Sequence, residues 1–104
     1  MKEISVEELK EKIDNNEDFQ LIDVRETFEY DTSNLDGLNI PLANVLLEKD
    51  KISKDKPVVV HCKSGKRSAQ AIMLLEKEGY TNLSNLTGGI LAWKDEFDSD
   101  MIVY

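Results

Sequence analysis

Cysteine and histidine are almost missing from this sequence: each occurs once in 104 residues, side by side, as His61 and Cys62. A single cysteine excludes an intramolecular disulfide, and with it dithiol redox chemistry confined to this chain. One cysteine and one histidine fall short of the roughly four ligands of a structural zinc site, so no metal is expected. No apolar run approaches the ~18 residues that span a bilayer. The opening Met1-Lys2-Glu3-Ile4 carries neither the apolar stretch of a signal peptide nor an Arg-rich transit pattern. A secreted domain of this size usually carries paired cysteines, so the chain reads as cytoplasmic. Positive charge is also scarce. Thirteen Lys and Arg against 21 Asp and Glu leave a net charge of −8, which argues against nucleic acid or an anionic membrane as partner.

What is present suits one compact domain over residues 1–104, with 40% hydrophobic and 33% charged residues. The charge is unevenly spread. Residues 49–67 carry a net +5, whereas residues 1–48 carry −9 and residues 68–104 carry −4. A basic island thus surrounds the one cysteine in sequence. Lys49, Lys51, Lys54 and Lys56 read as a solvated loop; Lys63, Lys66 and Arg67 are tied more closely to Cys62.

Apolar spacing alternates in type along the chain. Ser5-Val6-Glu7-Glu8 is a capping box, and Val6, Leu9 and Ile13 then repeat at helical spacing to about Asn15. Phe19 to Val24 predicts a strand, Thr27 to Asp31 a short helix, and Leu38 to Ile40 a short strand. Pro41 suits the first turn of a helix from Leu42 to about Glu48. Pro57-Val58-Val59-Val60-His61 is the clearest strand, and three successive valines indicate burial on both faces, as in a parallel sheet. Ser68 to Glu78 predicts a helix ended by Gly79, Leu83 to Leu86 a strand, and Ile90 to about Phe97 a last helix. Strands alternating with helices give an α/β domain with a mainly parallel sheet. Ligands of such sheets bind beyond the carboxyl ends of the strands, where Cys62 falls.

The loop Cys62-Lys63-Ser64-Gly65-Lys66-Arg67-Ser68 reads as an anion cradle. A loop curling into a helix N-terminus turns backbone N–H groups inward. Gly65 permits backbone conformations that other residues resist. Lys63, Lys66 and Arg67 add positive charge. Such surroundings favour thiolate over thiol and lower a cysteine pKa to roughly 3.5–7.5. A lone cysteine is often just a small buried hydrophobe; the strand, basic glycine loop and helix around Cys62 favour a nucleophile instead. The cradle would also take a dianion such as thiosulfate, whose outer sulfur the thiolate attacks, leaving a persulfide for a thiol or cyanide acceptor. This chemistry requires no cofactor.

The Cys62-x-x-Gly65-x-Arg67-Ser68 pattern resembles the active-site loop of the rhodanese superfamily. Ile22-Asp23-Val24-Arg25-Glu26 with Glu29-Tyr30, Asn39-Ile40-Pro41-Leu42, and Gly88-Gly89-Ile90-Leu91-Ala92-Trp93 are similar to its other blocks, in family order. The resemblance implies a rhodanese-like fold of about five strands, mainly parallel, with helices on both faces. It implies that Cys62 takes the sulfur, ringed by the backbone of Lys63, Ser64, Gly65, Lys66 and Arg67, with Arg67 bracing the loop and facing the anion. It gives Asp23 and Arg25 supporting roles, Asp23 mainly a structural one. One departure is plain. The family's Gly-His-Ile-Pro-Gly-Ala stretch is replaced by Ser33-Asn34-Leu35-Asp36-Gly37-Leu38, so a locally different loop is expected there.

Other residues have plainer readings. His61 neighbours Cys62, but adjacent strand residues point to opposite faces, which makes His61 structural rather than a base. Glu26, Glu29 and Asp31 read as surface charge on a short helix, with Glu29 a candidate partner for Arg25. Trp93 reads as a core anchor. The rival enzyme classes are a rhodanese-fold phosphatase and a related arsenate reductase. Those phosphatases have five residues between cysteine and arginine, whereas this chain has four, a tighter ring that suits a sulfur atom better than a phosphate. Inactive interaction modules of this type lack the cysteine. The partners expected are a small anionic sulfur donor and a thiol acceptor, either of which could be carried on a protein.

Overall fold

A computed structural model describes residues 1–104. Five strands form one parallel sheet: β1 (Glu3–Ile4), β2 (Gln20–Asp23), β3 (Leu38–Asn39), β4 (Val58–His61) and β5 (Leu83–Leu86), in the order β1-β5-β4-β2-β3. The helices are α1 (Val6–Asp14), α2 (Thr27–Thr32), α3 (Lys66–Lys77) and α4 (Gly89–Phe97). No helix is long and apolar enough to cross a membrane.

The valine strand lies at the centre and is the one strand of four residues buried along its whole length. Val58, Val60 and Cys62 join Ile22, Val24, Ala71, Ile72 and Leu75 in the core beneath α3. Val59 faces the other way, into a smaller core with Ile4, Val6, Leu9 and Leu86, beneath α1 and α4. Each such side chain, fully buried, contributes about 1.5–3 kcal/mol, so the centre of β4 anchors both layers. Trp93 packs against the smaller core and meets Phe97 edge-on, with ring centroids 4.8 Å apart. The expected capping box is present: Glu8 N–H donates to Ser5 Oγ and Ser5 N–H to a Glu8 carboxylate oxygen, both at 3.1 Å.

Two expectations are corrected. Leu42 to Glu48 is not an α-helix but a short 3-10 turn, Leu42–Asn44, and further turn, with a second 3-10 turn, Lys49–Lys51, directly after it. Val45 and Ile52 must both enter the core, and the Tyr80 hydroxyl, donating to Lys49 O at 2.6 Å, holds the chain in a bent path between them. The first strand, β1, was not among the elements expected from the residues. It has two residues, and it exists through pairing with Asn85 and Leu86 of β5.

The altered 33–38 stretch is an ordered local turn. Asn34 Oδ1 accepts from Asp36 N–H at 2.8 Å, and Asp36 takes a left-handed φ of 64°. Gly37 then passes so close to β2 that a Cβ there would sit 2.8 Å from Leu21 O. The tail after α4 returns over this region, with the Ser33 hydroxyl donating to Ile102 O and Met101 lining a cavity together with Phe19 and Leu21.

Candidate active site

β4 delivers Cys62 to the carboxyl end of the sheet, and the chain must then turn into α3 within three residues. Gly65 makes that turn with φ +112°, in the left-handed region that a side chain disfavours. The turn aims its amide back at the strand end. Gly65 N–H donates to Cys62 Sγ at 3.1 Å, and Ser68 N–H, in the first turn of α3, donates to it at 3.4 Å. The Ser68 hydroxyl lies 3.4 Å from the same sulfur. Cys62 is only 1% exposed, so the sulfur is covered, yet amides line it rather than hydrocarbon alone. Burial pushes the thiol up. The Ser68 hydroxyl, then the amides of Ser68, Gly65 and Ser64, pull it down, and the balance lies below the ordinary thiol value.

A second chain of contacts holds the loop from behind. Asn85, at the end of β5, donates from Nδ2 to Gly65 O at 3.1 Å and accepts at Oδ1 from the Ser68 hydroxyl at 2.6 Å. The start of α4 closes the other side: Ile90 N–H donates to Cys62 O at 2.9 Å and Leu91 N–H to Lys63 O at 3.1 Å. A Cβ on Gly89 would come within 2.4 Å of Lys63 O, so only glycine lets α4 approach the loop this closely.

The charged residues stand differently from the expectation. Arg67 does not turn its guanidinium freely to the sulfur; it forks onto Glu29, at 2.6 and 3.0 Å. Glu29 is therefore a buried partner of Arg67, not surface charge and not a partner of Arg25. Its neighbour supplies the reason: Glu26 N–H at the start of α2 also donates to it, at 3.0 Å, fixing the carboxylate inward. The Arg67 hydrogen bonds hold the Glu29 carboxyl below its ordinary value against the opposing effect of burial. Lys66 is exposed and Lys63 half-exposed, and neither forms an ion pair. The basic island does not surround the cysteine in space. Lys54 and Lys56 precede β4, at the end of the sheet away from Cys62. Lys49 pairs with Glu78, beyond the far end of α3, and Lys56 with Asp18.

Asp23 and Arg25 form their own buried cluster at the end of β2. Arg25 Nη2 meets Asp23 Oδ2 at 2.7 Å and Nε meets both carboxylate oxygens, at 3.0 and 3.1 Å. Arg25 Nη2 also donates to Ser33 O at 2.8 Å, tying the altered stretch to the strand. His61 lies opposite Asp23 in register, 3.7 Å from its carboxylate, on the sheet face away from Cys62. Burial pushes the His61 pKa down, with Asp23 opposing, so the ring is neutral.

Asn85 is the site residue that sequence reasoning missed. Its one signal was a polar side chain inside the buried run Leu83-Ser84-Asn85-Leu86.

The fold has counterparts among solved structures. Residues 5–96 match the Rhodanese-like domain family. The chain belongs to that family. A rhodanese-related protein from Thermoplasma volcanium superposes with a TM-score of 0.81 at 32% identity, over 93% of this chain and 94% of that one. A sulfurtransferase of Allochromatium vinosum is 38% identical over 88% of this chain and 86% of that protein. The probable adenylyltransferase/sulfurtransferase MoeZ of Mycobacterium tuberculosis is 33% identical over 97% of this chain, which spans only 26% of MoeZ.

Proposed function

We propose that this rhodanese-like domain is a sulfurtransferase that carries a sulfane sulfur on Cys62. One observation carries the reading: the Cys62 sulfur accepts from the Gly65 and Ser68 amides, with the Ser68 hydroxyl in contact, at the mouth of a helix. The two amides are fixed donors and stabilise an anion at the sulfur without reorganising. A relative of similar length named sulfurtransferase supports the same class of activity.

The donor is thiosulfate or another sulfane compound, including a persulfide on a protein. The Cys62 thiolate attacks the outer sulfur of thiosulfate. A new S–S bond forms at Cys62, the old S–S bond breaks, and sulfite leaves with its electron pair. The charge of three before the step, one on thiolate and two on thiosulfate, is three after it, on persulfide and sulfite. An acceptor thiolate or cyanide then attacks the terminal sulfur, and Cys62 leaves as thiolate. No cofactor enters this balance. Ser64 and the backbone of residues 63–67 form the rim that the donor passes, with Lys63 and Lys66 as free cations to draw it in. Asp23 and Arg25 brace the neighbouring strand end. Arg67, committed to Glu29, braces the loop and is not free to clamp a phosphate, which weighs against a phosphatase.

Intact mass spectrometry after thiosulfate treatment tests this. We expect one added sulfur atom, removed by cyanide and absent in Cys62→Ser, which should also lose transfer altogether. Transfer retained in Cys62→Ser, or no added mass in the parent protein, would end the assignment.

A further inference from the structure

Ser68 has one hydroxyl proton and three acceptors around it: Asn85 Oδ1 at 2.6 Å, Gly65 O at 3.1 Å and Cys62 Sγ at 3.4 Å. Which acceptor holds that proton follows from Asn85. Gly65 O can only accept, so the Asn85 atom facing it must be the NH2 group. The other end of the carboxamide, facing Ser68, is then the oxygen, which also only accepts. Two oxygens 2.6 Å apart with no hydrogen between them would repel, so Ser68 is the donor. Ser68 therefore turns a lone pair, not its proton, towards Cys62. That orientation welcomes the S–H of a thiol and opposes a thiolate.

We propose that Asn85 is a positioning residue that acts on the Cys62 nucleophile by withholding the Ser68 proton from the sulfur. This role rests on reading Cys62 as the sulfur carrier. Ser68 has two hydrogen-bonded states. With Cys62 neutral, the chain runs from S–H to Ser68 to Asn85. With Cys62 ionised, the hydroxyl turns from Asn85 to the sulfur, while the Gly65 and Ser68 amides stay in place. Asn85 thus restrains ionisation of a cysteine that the amides alone would ionise further. A thiolate with a very low pKa is a weaker nucleophile, so such restraint keeps reactivity in the anion.

The charged groups at this end of the sheet are Arg67 of α3 with Glu29 of α2, Lys63 of the loop, Lys66 at the start of α3 and, on the opposite face of β4, the Asp23–Arg25 pair of β2. None hydrogen-bonds Asn85, so substitution there leaves their pairing intact.

The test is the pH dependence of Cys62 alkylation by iodoacetamide in the full chain. Asn85→Ala should move the midpoint down by about half to one pH unit, because ionising Cys62 no longer breaks the Ser68–Asn85 hydrogen bond. Ser68→Ala should move it up, and adding Asn85→Ala in that background should leave it there. If Asn85 only clamps the Gly65 carbonyl, the midpoint instead rises or stays with Asn85→Ala, or shifts equally in both backgrounds. Any of these results overturns the proposal. Alkylation needs no sulfur donor. A parent protein that fails to take up sulfur would therefore sink the proposed function separately, whatever the midpoints show.

Discussion

Two polar clusters sit at the carboxyl end of the same sheet, on opposite faces of β4, and they are satisfied differently. The groups hydrogen-bonded to Cys62 are neutral backbone amides and a neutral hydroxyl, and they converge on one atom whose charge can change. Around Asp23, the groups are fixed charges, Arg25 and Asp23 are both fully buried, and Arg25 Nη1 and both His61 ring nitrogens have no partner. The first cluster can hold an anion that comes and goes, because amides do not titrate. The second is an ion pair locked by three hydrogen bonds between its two side chains, and it serves as a brace. Polarity near a strand end is therefore no sign of chemistry; convergence of uncharged donors on a reactive atom is.

Removing one half of the brace gives the largest stability effect expected outside Cys62 chemistry. Asp23→Ala leaves the Arg25 guanidinium buried without a counter-charge and with only the Ser33 carbonyl and its remaining contacts. Loss of one partner of a buried ion pair costs about 3–5 kcal/mol. Urea denaturation measures it, and Ser68→Ala, in the cradle, should cost far less. A loss for Asp23→Ala no larger than for Ser68→Ala would erase the distinction between the clusters.

His61 makes the brace sensitive to pH. Its folded-state pKa is depressed by burial, so below the unfolded value the unfolded chain binds a proton that the folded chain refuses. Stability then rises with pH through this region and falls on acidification, by at most about 1.4 kcal/mol per pH unit below ~6.5. His61→Leu should flatten the denaturation midpoint between pH 7 and pH 5, chosen to bracket that value (~6.5). An unchanged slope in the variant would assign the acid sensitivity elsewhere.

The division between these clusters was half legible in the residues. The valine strand, the cysteine after it and the glycine before a helix are local patterns, and alternation along β4 correctly separated His61 from Cys62. Long-range partners were not legible. Arg67 and Glu29 meet across 38 positions of chain, and sequence spacing favoured the nearer Arg25 for Glu29. β1 has too little length for a periodic signal and depends on β5 for its existence. The Leu42 to Glu48 segment has good helix formers, but burying both Val45 and Ile52 overrides them. Asn85 offers only its polarity within a buried strand, since its meaning lies in which atoms it faces.

The smallest expected effect concerns the cations. Positive charge near a cysteine was read as a cause of its ionisation, yet the groups in contact with the sulfur are amides and a hydroxyl. Lys63 and Lys66 point no ion pair anywhere, Lys66 is exposed, and exposed charges are screened over about 8–10 Å. Lys63→Ala with Lys66→Ala should therefore move the alkylation midpoint by a few tenths of a pH unit at most. It should raise the KM for thiosulfate several-fold, because the free lysines gather a dianion at the rim, and added salt should mimic the substitution in the parent protein. A midpoint shift as large as that of Ser68→Ala would make the lysines, not the amide ring, the source of the thiolate, and the contrast between a titrating centre ringed by neutral donors and a brace of fixed charges would no longer hold.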